Sequence, residues 1–306
     1  MKGKSNCFFL LFLLLSFHLS CGQNGLNGFL KPSDTLNLSR RNTVIITEAA
    51  VVSIALVGLN QLWYADYPKS NFHFINDNEE WLQMDKVGHL YSSYHLGRLG
   101  AEMLAWSGTT QKEQLIYGAG IGFAFLTAVE VLDGFSSEWG ASPGDIIANA
   151  SGTALYVSQE LLWNEQRITP KFSFHTTQYA QYRPNVLGSS LAEQILKDYN
   201  GQTYWLSANL YSFSKGSKIP KWLNLAIGYG ANGMITGNSQ NSGLFPMPKT
   251  ERMRRFYLSL DVDLTKIETK SHFLKTIFSV LSTIKIPAPT IEYSDGEGFR
   301  GYLSYF

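Results

Sequence analysis

Cysteine is nearly absent from this sequence: among 306 residues there are two, Cys7 and Cys21. Both lie in an N-terminal segment with the pattern of an export signal. The composition therefore excludes a disulfide framework and a thiolate metal site from the mature chain. An exported chain of this kind must be stabilised by its core or by lipid.

Charge is also scarce. Asp, Glu, Lys and Arg together make up 16% of the residues, whereas about 25% is typical of soluble proteins. The formal net charge is +1, which gives no indication of a nucleic-acid partner. The mean hydropathy of -0.09 is low for a protein that consists mostly of membrane helix. Apolar and polar stretches must therefore be segregated along the chain.

The N-terminus predicts a secretory signal over residues 1–22. Two lysines, Lys2 and Lys4, precede an apolar run over residues 7–15, and small residues flank Cys21. Cleavage after Gly22 and lipoprotein processing, which keeps a lipidated Cys21 at the N-terminus, both fit this pattern. Either route predicts export to the cell envelope, in a periplasmic or membrane-associated location that includes the outer membrane.

The rest of the chain divides into three segments that differ in composition and in the spacing of apolar residues. Residues 23–42 are rich in Gly, Asn, Ser and Lys and are predicted to be a tether. Residues 43–163 are predicted to form an apolar helical bundle, and residues 164–306 a strand-rich region with one amphipathic helix. The predicted fold class is α+β, with an N-terminal up-down four-helix bundle followed by the strand-rich C-terminal region.

Apolar residues at helical spacing indicate four long helices, over about residues 43–63, 85–106, 112–132 and 145–163. The first and third approach the ~20 apolar residues that span a bilayer. The third contains Gly118 and Gly122, a spacing typical of closely packed membrane helices, although a buried helix of a soluble protein packs in the same way.

Alternation of apolar and polar residues after position 170 predicts strands. The alternating segments are 203–213, 222–234, 256–264 and 290–293, with an aromatic C-terminus at 302–306. An amphipathic helix is predicted over residues 271–284. We expect five or six strands, which is fewer than the minimum of about eight in a closed membrane barrel.

Six polar residues are spaced so that they meet at one end of the predicted bundle. They form three pairs, each on one helix face: Asp85 with His89, Glu130 with Asp133, and Asp145 with Asn149. The first and third pairs begin a helix and the second ends one. Because an up-down bundle brings these termini together, we predict that the six side chains form a single candidate site.

The chemistry of this set favours a bound ion or proton transfer. Carboxylates and an imidazole in a partly buried place are costly unless they are paired or bound to metal. Asp85, His89, Glu130 and Asp145 are suited to a divalent ion such as Mn, Fe, Zn or Mg. A structural role stays open, because Asp85 and Asp145 also stand at helix starts, where Asp caps a helix.

The same residues carry a family resemblance. The stretch resembles the D-K-x-x-H, E-x-x-D and D-x-x-A-N-x-x-G pattern of the YfiM-like lipoproteins, a family of unknown function. It resembles more distantly the VanZ-like membrane proteins, named for an association with glycopeptide-antibiotic resistance. The resemblance covers about residues 43–163, and the matched positions are Asp85, Lys86, His89, Glu130, Asp133, Asp145, Asn149 and Gly152. It implies an envelope lipoprotein and no particular mechanism.

Two functions are compatible with this pattern. The first is a membrane-associated envelope protein with a binding or scaffolding role, whose partners are membrane or envelope components. The alternative is a metal-dependent or acid–base hydrolase acting on a lipid-linked or cell-wall substrate, with His89 as base or ligand. The sequence contains no P-loop, dinucleotide fingerprint, H-E-x-x-H or G-x-S-x-G motif. Whether the protein is an enzyme is left open by the sequence.

The export prediction can be tested on the mature N-terminus. We expect mass spectrometry of the protein purified from cells to show loss of the first 20 or 22 residues. A diacylglyceryl group on Cys21 would select the lipoprotein route. Retention of Met1 or Lys2 would contradict export through this segment.

Overall fold

A computed structural model describes residues 25–64, 67–238 and 250–306. The predicted signal segment lies outside the described residues. The long helices are α2 to α5, and the other helices have ten residues or fewer. In chain order they are α1 (Gly25–Phe29), α2 (Leu38–Leu59), α3 (Met84–Trp106), α4 (Gln111–Gly134), α5 (Pro143–Trp163), α6 (Pro184–Leu187), α7 (Leu191–Lys197), α8 (Leu210–Phe213) and α9 (His272–Leu281).

The four long helices lie where the apolar spacing predicts them, and local capping sets their starts. Helix α2 begins inside the segment predicted as a tether, because the side chain of Asn37 accepts a hydrogen bond from the backbone of Arg40. Helix α4 begins with a capping box between Thr110 and Glu113. Helix α4 also contains a π-helical stretch, Gln114–Ala119.

Helices α3, α4 and α5 pack closely because glycines line their contacts. A Cβ atom on Gly100 would lie 2.6 Å from the carbonyl oxygen of Gly118, and one on Gly152 would lie 2.2 Å from that of Leu90. The backbones are therefore in direct contact, as the small-residue spacing predicts. Helix α2 is different, since Val44 is its buried residue. The mixed helix-and-sheet class is confirmed, while a bundle that includes all four helices stays a prediction.

Two of these helices, α2 and α4, are long and apolar enough to cross a membrane, judged by length and composition. Most of the side chains of α2 are exposed, including Ile46, Ile54 and Val57. A long apolar helix with so little of its surface covered by protein is typical of a membrane-associated segment.

The strand-rich region forms one antiparallel sheet in which six strands follow each other in chain order. This count agrees with the five or six strands predicted. The strands are β1 (Ile168–Phe174), β2 (Gln202–Asn209), β3 (Leu223–Asn232), β4 (Met253–Val262), β5 (Ala288–Ser294) and β6 (Gly298–Tyr305).

Two details of the strand prediction are wrong. Strand β1 was not predicted. Strand β2 ends before residue 213, because the Asn209 side chain accepts a hydrogen bond from the backbone of Ser212 and starts the short helix α8.

The sheet packs against α3, so the helical and strand-rich regions share an extended interface. The rings of Tyr91, Phe172 and Tyr204 form a cluster with centroids 5.3 to 5.9 Å apart. One turn further along α3, His95 Nε2 lies 2.7 Å from the carbonyl oxygen of Pro170. Next, Arg98 donates to the Ser282 hydroxyl at 2.9 Å. Helix α3 is thus fixed between two other helices and the sheet.

The glycine contacts can be tested with a matched pair of substitutions in α4. A Cβ atom on Gly122 would lie 2.2 Å from the carbonyl oxygen of Ser93, whereas one on Gly120 meets nothing within 4 Å. We expect Gly122→Ala to lower the free energy of unfolding by about 1–3 kcal/mol through overpacking. The control Gly120→Ala should raise it by up to ~1 kcal/mol, because Ala favours helix. Equal unfolding midpoints in denaturant for the two variants would contradict the close approach.

Candidate functional site

The structure places the six predicted residues at one end of the packed helices. Asp85 and His89 lie in the first turns of α3, Glu130 and Asp133 in the last turn of α4, and Asp145 and Asn149 in the first turns of α5. The alternating direction of the helices causes this convergence. The positions follow the predicted geometry, while the role of the residues stays a prediction.

His89 is the centre of the group. Its Nδ1 lies 2.9 Å from Asn149 Oδ1, so Nδ1 carries a proton and donates it to the amide oxygen. The other ring nitrogen, Nε2, faces two carboxylates: it is 3.8 Å from Asp85 Oδ1 and 3.7 Å from Glu130 Oε1. Both separations are longer than a hydrogen bond. Nε2 thus points into a gap between acidic oxygens.

The two acidic residues of α4 are held by different partners. Glu130 is 2% exposed, and its Oε2 accepts a hydrogen bond from the backbone of Ser142 at 3.0 Å. Because Ser142 also caps α5 through the backbone of Asp145, Glu130 is fixed to the start of the next helix. Asp133 instead accepts a hydrogen bond from the Tyr64 hydroxyl at 2.7 Å. It lines the same cavity as His89.

Lys86 joins three acidic residues from separate parts of the chain. Its Nζ is 2.7 Å from Asp77 Oδ2, 2.9 Å from Asp145 Oδ1 and 3.6 Å from Asp85 Oδ2. Asp77 also accepts a 2.6 Å hydrogen bond from the Ser142 hydroxyl. Asp77 was not predicted, since it lies in the irregular loop before α3, where no periodicity marks it.

Burial and charge shift the protonation of these groups in different directions. Burial raises the pKa of Asp145 to about 6, and the charge of Asp85 acts in the same direction. Burial also opposes the charged form of His89, but the nearby carboxylates outweigh it and raise the pKa of the imidazole above its usual value. For Asp77, hydrogen bonds from Lys86 and Ser142 outweigh burial and lower the pKa of the carboxyl.

A residue of the strand-rich region completes the group. The Tyr199 hydroxyl donates to Asp85 Oδ1 at 2.6 Å. Burial, together with the charge of Asp85, raises the pKa of Tyr199 well above its usual value, so the phenol remains a donor. No motif surrounds Tyr199, and only the docking of the sheet against α3 brings it here.

The chain entering α3 has a strained backbone. Trp81, Leu82 and Gln83 have φ angles of 47°, 50° and 63°, a left-handed conformation that non-glycine residues seldom adopt. The turn is held by the Trp81 N–H, which donates to the carbonyl oxygen of Gly237 at 2.7 Å, and by the Tyr229 hydroxyl, which donates to that of Leu82. Strain of this kind persists where surrounding contacts enforce it, often beside functional sites.

Two cavities meet at this site. One, of about 310 Å³, is acidic with aromatic walls that include Trp81, Trp139 and Tyr64. The other, of about 380 Å³, has a largely apolar lining: Leu126, Phe172, Ile195, Leu196 and Tyr204. Asp85, His89 and Tyr199 line both. The polar group therefore separates an acidic space from an apolar one.

Three of the four predicted metal ligands form a set that could hold an ion. Ligand atoms of Asp85, His89 and Asp145 all lie within 4.8 Å of one another. The fourth, Glu130, reaches the same space through its contact with His89 Nε2. Asn149 Nδ2 is buried, and the described residues provide it with no hydrogen-bond partner. The donors, oxygen and imidazole nitrogen, are of the kind that borderline divalent ions prefer.

Comparison with known families locates the same region. Residues 71–159 match the model of a family described as "Predicted periplasmic lipoprotein (DUF2279)". The matched segment contains all six predicted residues together with Asp77 and Lys86. It supports the resemblance to an envelope lipoprotein family of unknown function, without confirming the YfiM-like or VanZ-like relationship. The predicted exported, periplasmic or membrane-associated localisation is confirmed at this level.

Neither the curated proteins nor the solved structures give a significant match to the chain.

The Lys86 network predicts a defined pH dependence. Asp77→Asn should lower the free energy of unfolding at pH 7 by roughly 2 kcal/mol, because a hydrogen-bonded charge is lost. The native pKa of Asp77 lies below its usual 3.8, so its contribution is present above that value and is lost as pH falls through the native pKa. Denaturant titrations at pH 7 and about pH 3 should show the gap between wild type and variant shrinking in acid. A gap independent of pH would contradict this assignment.

Proposed function

We propose that the protein is a membrane-associated envelope protein whose acidic helix end binds a divalent cation. The proposed ligands are Asp85, His89, Glu130 and Asp145. The observation that carries the proposal is the gap around His89 Nε2, which faces Asp85 and Glu130 without bonding to either.

The width of this gap fits an ion better than a direct hydrogen bond. A charge-assisted bond between imidazole and carboxylate is about 2.7–2.9 Å long, whereas the two separations are 3.8 and 3.7 Å. Two ligands each about 2.1 Å from a common ion lie roughly 3.4–3.6 Å apart at tetrahedral to trigonal angles. The observed spacing is close to that range.

The orientation of His89 supports the same proposal. Because Nδ1 donates to Asn149 Oδ1, the lone pair of neutral imidazole is on Nε2, inside the gap. A metal-binding histidine usually donates its other ring N–H to an oxygen in this way. The Asn149 backbone is itself held by the Ser93 hydroxyl, which donates to its carbonyl oxygen at 2.7 Å.

The charge balance points in the same direction. Asp77, Asp85 and Asp145 lie within 3.6 Å of one ammonium group, Lys86, and Glu130 lies 3.7 Å from His89 Nε2. Lys86 lies nearest to Asp77 and Asp145, which leaves Asp85 and Glu130 less fully compensated. A divalent cation beside His89 offsets the remaining negative charge, since buried carboxylates are costly without a counter-charge.

A second candidate, the hydrolase, is favoured by the two cavities. A polar space and an apolar space that meet at His89 suit an amphiphilic, lipid-linked substrate, with its polar group at the ion and its chain in the apolar cavity. His89 or a metal-bound water would then act in the hydrolysis. The scaffolding role rests on a different feature, the Lys86 network that ties the helix ends together.

Metal titration tests the proposal. The mature protein, stripped with chelator, should bind one Mn²⁺ or Zn²⁺ per chain in calorimetry. We expect His89→Ala and Glu130→Gln to weaken binding by tenfold or more, as loss of a ligand requires, while circular dichroism shows a retained fold. His272→Ala, which removes an imidazole far from the site at the start of α9, is the matched control and should bind like wild type.

The outcomes separate the alternatives. Wild-type affinity in His89→Ala, or no stoichiometric binding, would overturn the cation site. A purely scaffolding cluster would instead give lower melting temperatures in both site variants, equally with and without metal. The hydrolase candidate requires, in addition, metal-dependent turnover of a lipid-linked substrate that is lost in His89→Ala.

A further inference from the structure

One face of the sheet is apolar: α3 packs on it at Phe172 and Tyr204, and no other part of the described chain covers the rest of it. Its side chains, here called the outer face, are between 39% and 57% exposed: Leu206, Leu225, Ile227, Phe256, Leu258, Leu260, Ile291 and Tyr293. They come from four neighbouring strands, β2 to β5, and alternate with buried residues along each strand. Contiguous exposed apolar surface of this extent marks an interaction site.

The opposite face of the same strands is polar and buried. Lys171 Nζ is 2.7 Å from Asp261 Oδ2, and both side chains are at most 1% exposed. Lys285 Nζ is 3.7 Å from Asp261 Oδ1, and Ser207 donates to Asp261 at 2.6 Å. The interior of the curved sheet is thus a network of ion pairs and hydrogen bonds.

This polarity is the reverse of that in a water-soluble antiparallel sheet, which turns its apolar face to the core and its polar face to water. Transmembrane sheets have the arrangement seen here, with apolar side chains outward and polar ones inward. Lipid rather than water is therefore the solvent that matches the outer face.

The strand register orders the outer face into bands. Tyr229, Phe256, Tyr293 and Phe299 are successive register partners and form an aromatic row across β3 to β6. The next row consists of Ile227, Leu258 and Ile291. An aromatic row at the edge of an aliphatic band is typical of surfaces that cross a bilayer.

The height of the band agrees with a bilayer. Strands β3 and β4 have ten residues each, and a tilted transmembrane strand needs ~9–11 residues. At ~3.3 Å per residue and a tilt of about 40°, ten residues give a height of roughly 25 Å. The apolar band of membrane sheets is ~25 Å tall.

The helices lie beside this band, with their ends near the two ends of the strands. The aromatic row is tied to the start of α3 by the bond from Tyr229 to the carbonyl oxygen of Leu82. At the other end of the strands, the Gln159 side chain of α5 accepts hydrogen bonds from the backbone N–H groups of Arg167 and Ile168, at the start of β1. Strands and helices therefore extend between the same two levels, and the exposed apolar side chains of α2 continue the outer face around the molecule.

We propose that the outer face of β2–β5 is embedded in the bilayer in contact with lipid acyl chains, so that sheet and helices share one membrane. The polar interior is then enclosed by protein. Residues 283–285 cover the edge of β1 through bonds between Phe172 and the backbone of Thr283 and Lys285. Curvature brings the Tyr305 hydroxyl of β6 within 3.4 Å of Thr203 Oγ1 on β2.

Spin labelling of the full chain tests this surface. Leu258→Cys, in a chain with Cys7→Ser and Cys21→Ser, is labelled and reconstituted into phosphatidylethanolamine–phosphatidylglycerol vesicles. We expect the label to collide with oxygen and to be protected at least tenfold from a water-soluble nickel chelate. Ser217→Cys, in the lysine-rich turn between β2 and β3, is the control and should show the opposite accessibility.

Two outcomes would overturn the proposal. Free access of the nickel chelate to position 258 would place the face in water. Protection from both reagents, with dipolar broadening between labels, would show that a second copy of the chain covers it. Ile227→Cys on the neighbouring strand gives an independent result if the first labelled chain does not fold.

Discussion

The Lys86 ammonium group holds the ends of the packed helices together. It lies among carboxylates of the loop before α3, of α3 itself and of α5, and so fixes where three chain segments meet. Removing one carboxylate partner of this group costs roughly 2 kcal/mol, because a hydrogen-bonded charge is lost. The position of α3 in turn decides how the sheet docks, since Tyr91, His95 and Arg98 on α3 all contact the strand-rich region. The ion pairs of Lys86 thus contribute to how the strand-rich region docks against the helices.

The sequence was sufficient to predict the convergence of Asp85, His89, Glu130, Asp133, Asp145 and Asn149, because the direction of successive helices decides which termini meet. It was not sufficient for Asp77 or Tyr199. These residues lie in irregular segments, where no period relates sequence position to space, and Tyr199 arrives only through tertiary docking. Lys86 belongs to the matched sequence pattern, so the sequence did mark this position. That Lys86 joins three carboxylates could not be predicted, because one of them, Asp77, lies in the irregular loop before α3.

For the sheet, the sequence pattern predicts the strands but not which of the two faces is buried. Alternation over residues 256–264 predicts a strand, which the structure places at Met253–Val262, and it separates the residues of that strand into two faces. A period of two, however, does not say which face is inside. The assumption that apolar residues point inward holds in water and is reversed when the surroundings are lipid. The buried pair of Lys171 and Asp261 reveals the direction, and this contact between distant strands becomes visible only once the register is known.

The two proposals also bear on each other through their positions. The aromatic row that includes Tyr229 lies beside the strained turn at Leu82, and that turn leads directly into Asp85 and His89. If this row marks the edge of the hydrocarbon layer, the acidic cavity lies where bilayer and water meet. Protein and lipid on one side lower the local dielectric constant and strengthen the attraction between a cation and its carboxylates, while water on the other side allows the ion to enter. In that position, the strained turn at Trp81–Gln83 holds the acidic start of α3 at the boundary between bilayer and water, outside the hydrocarbon layer.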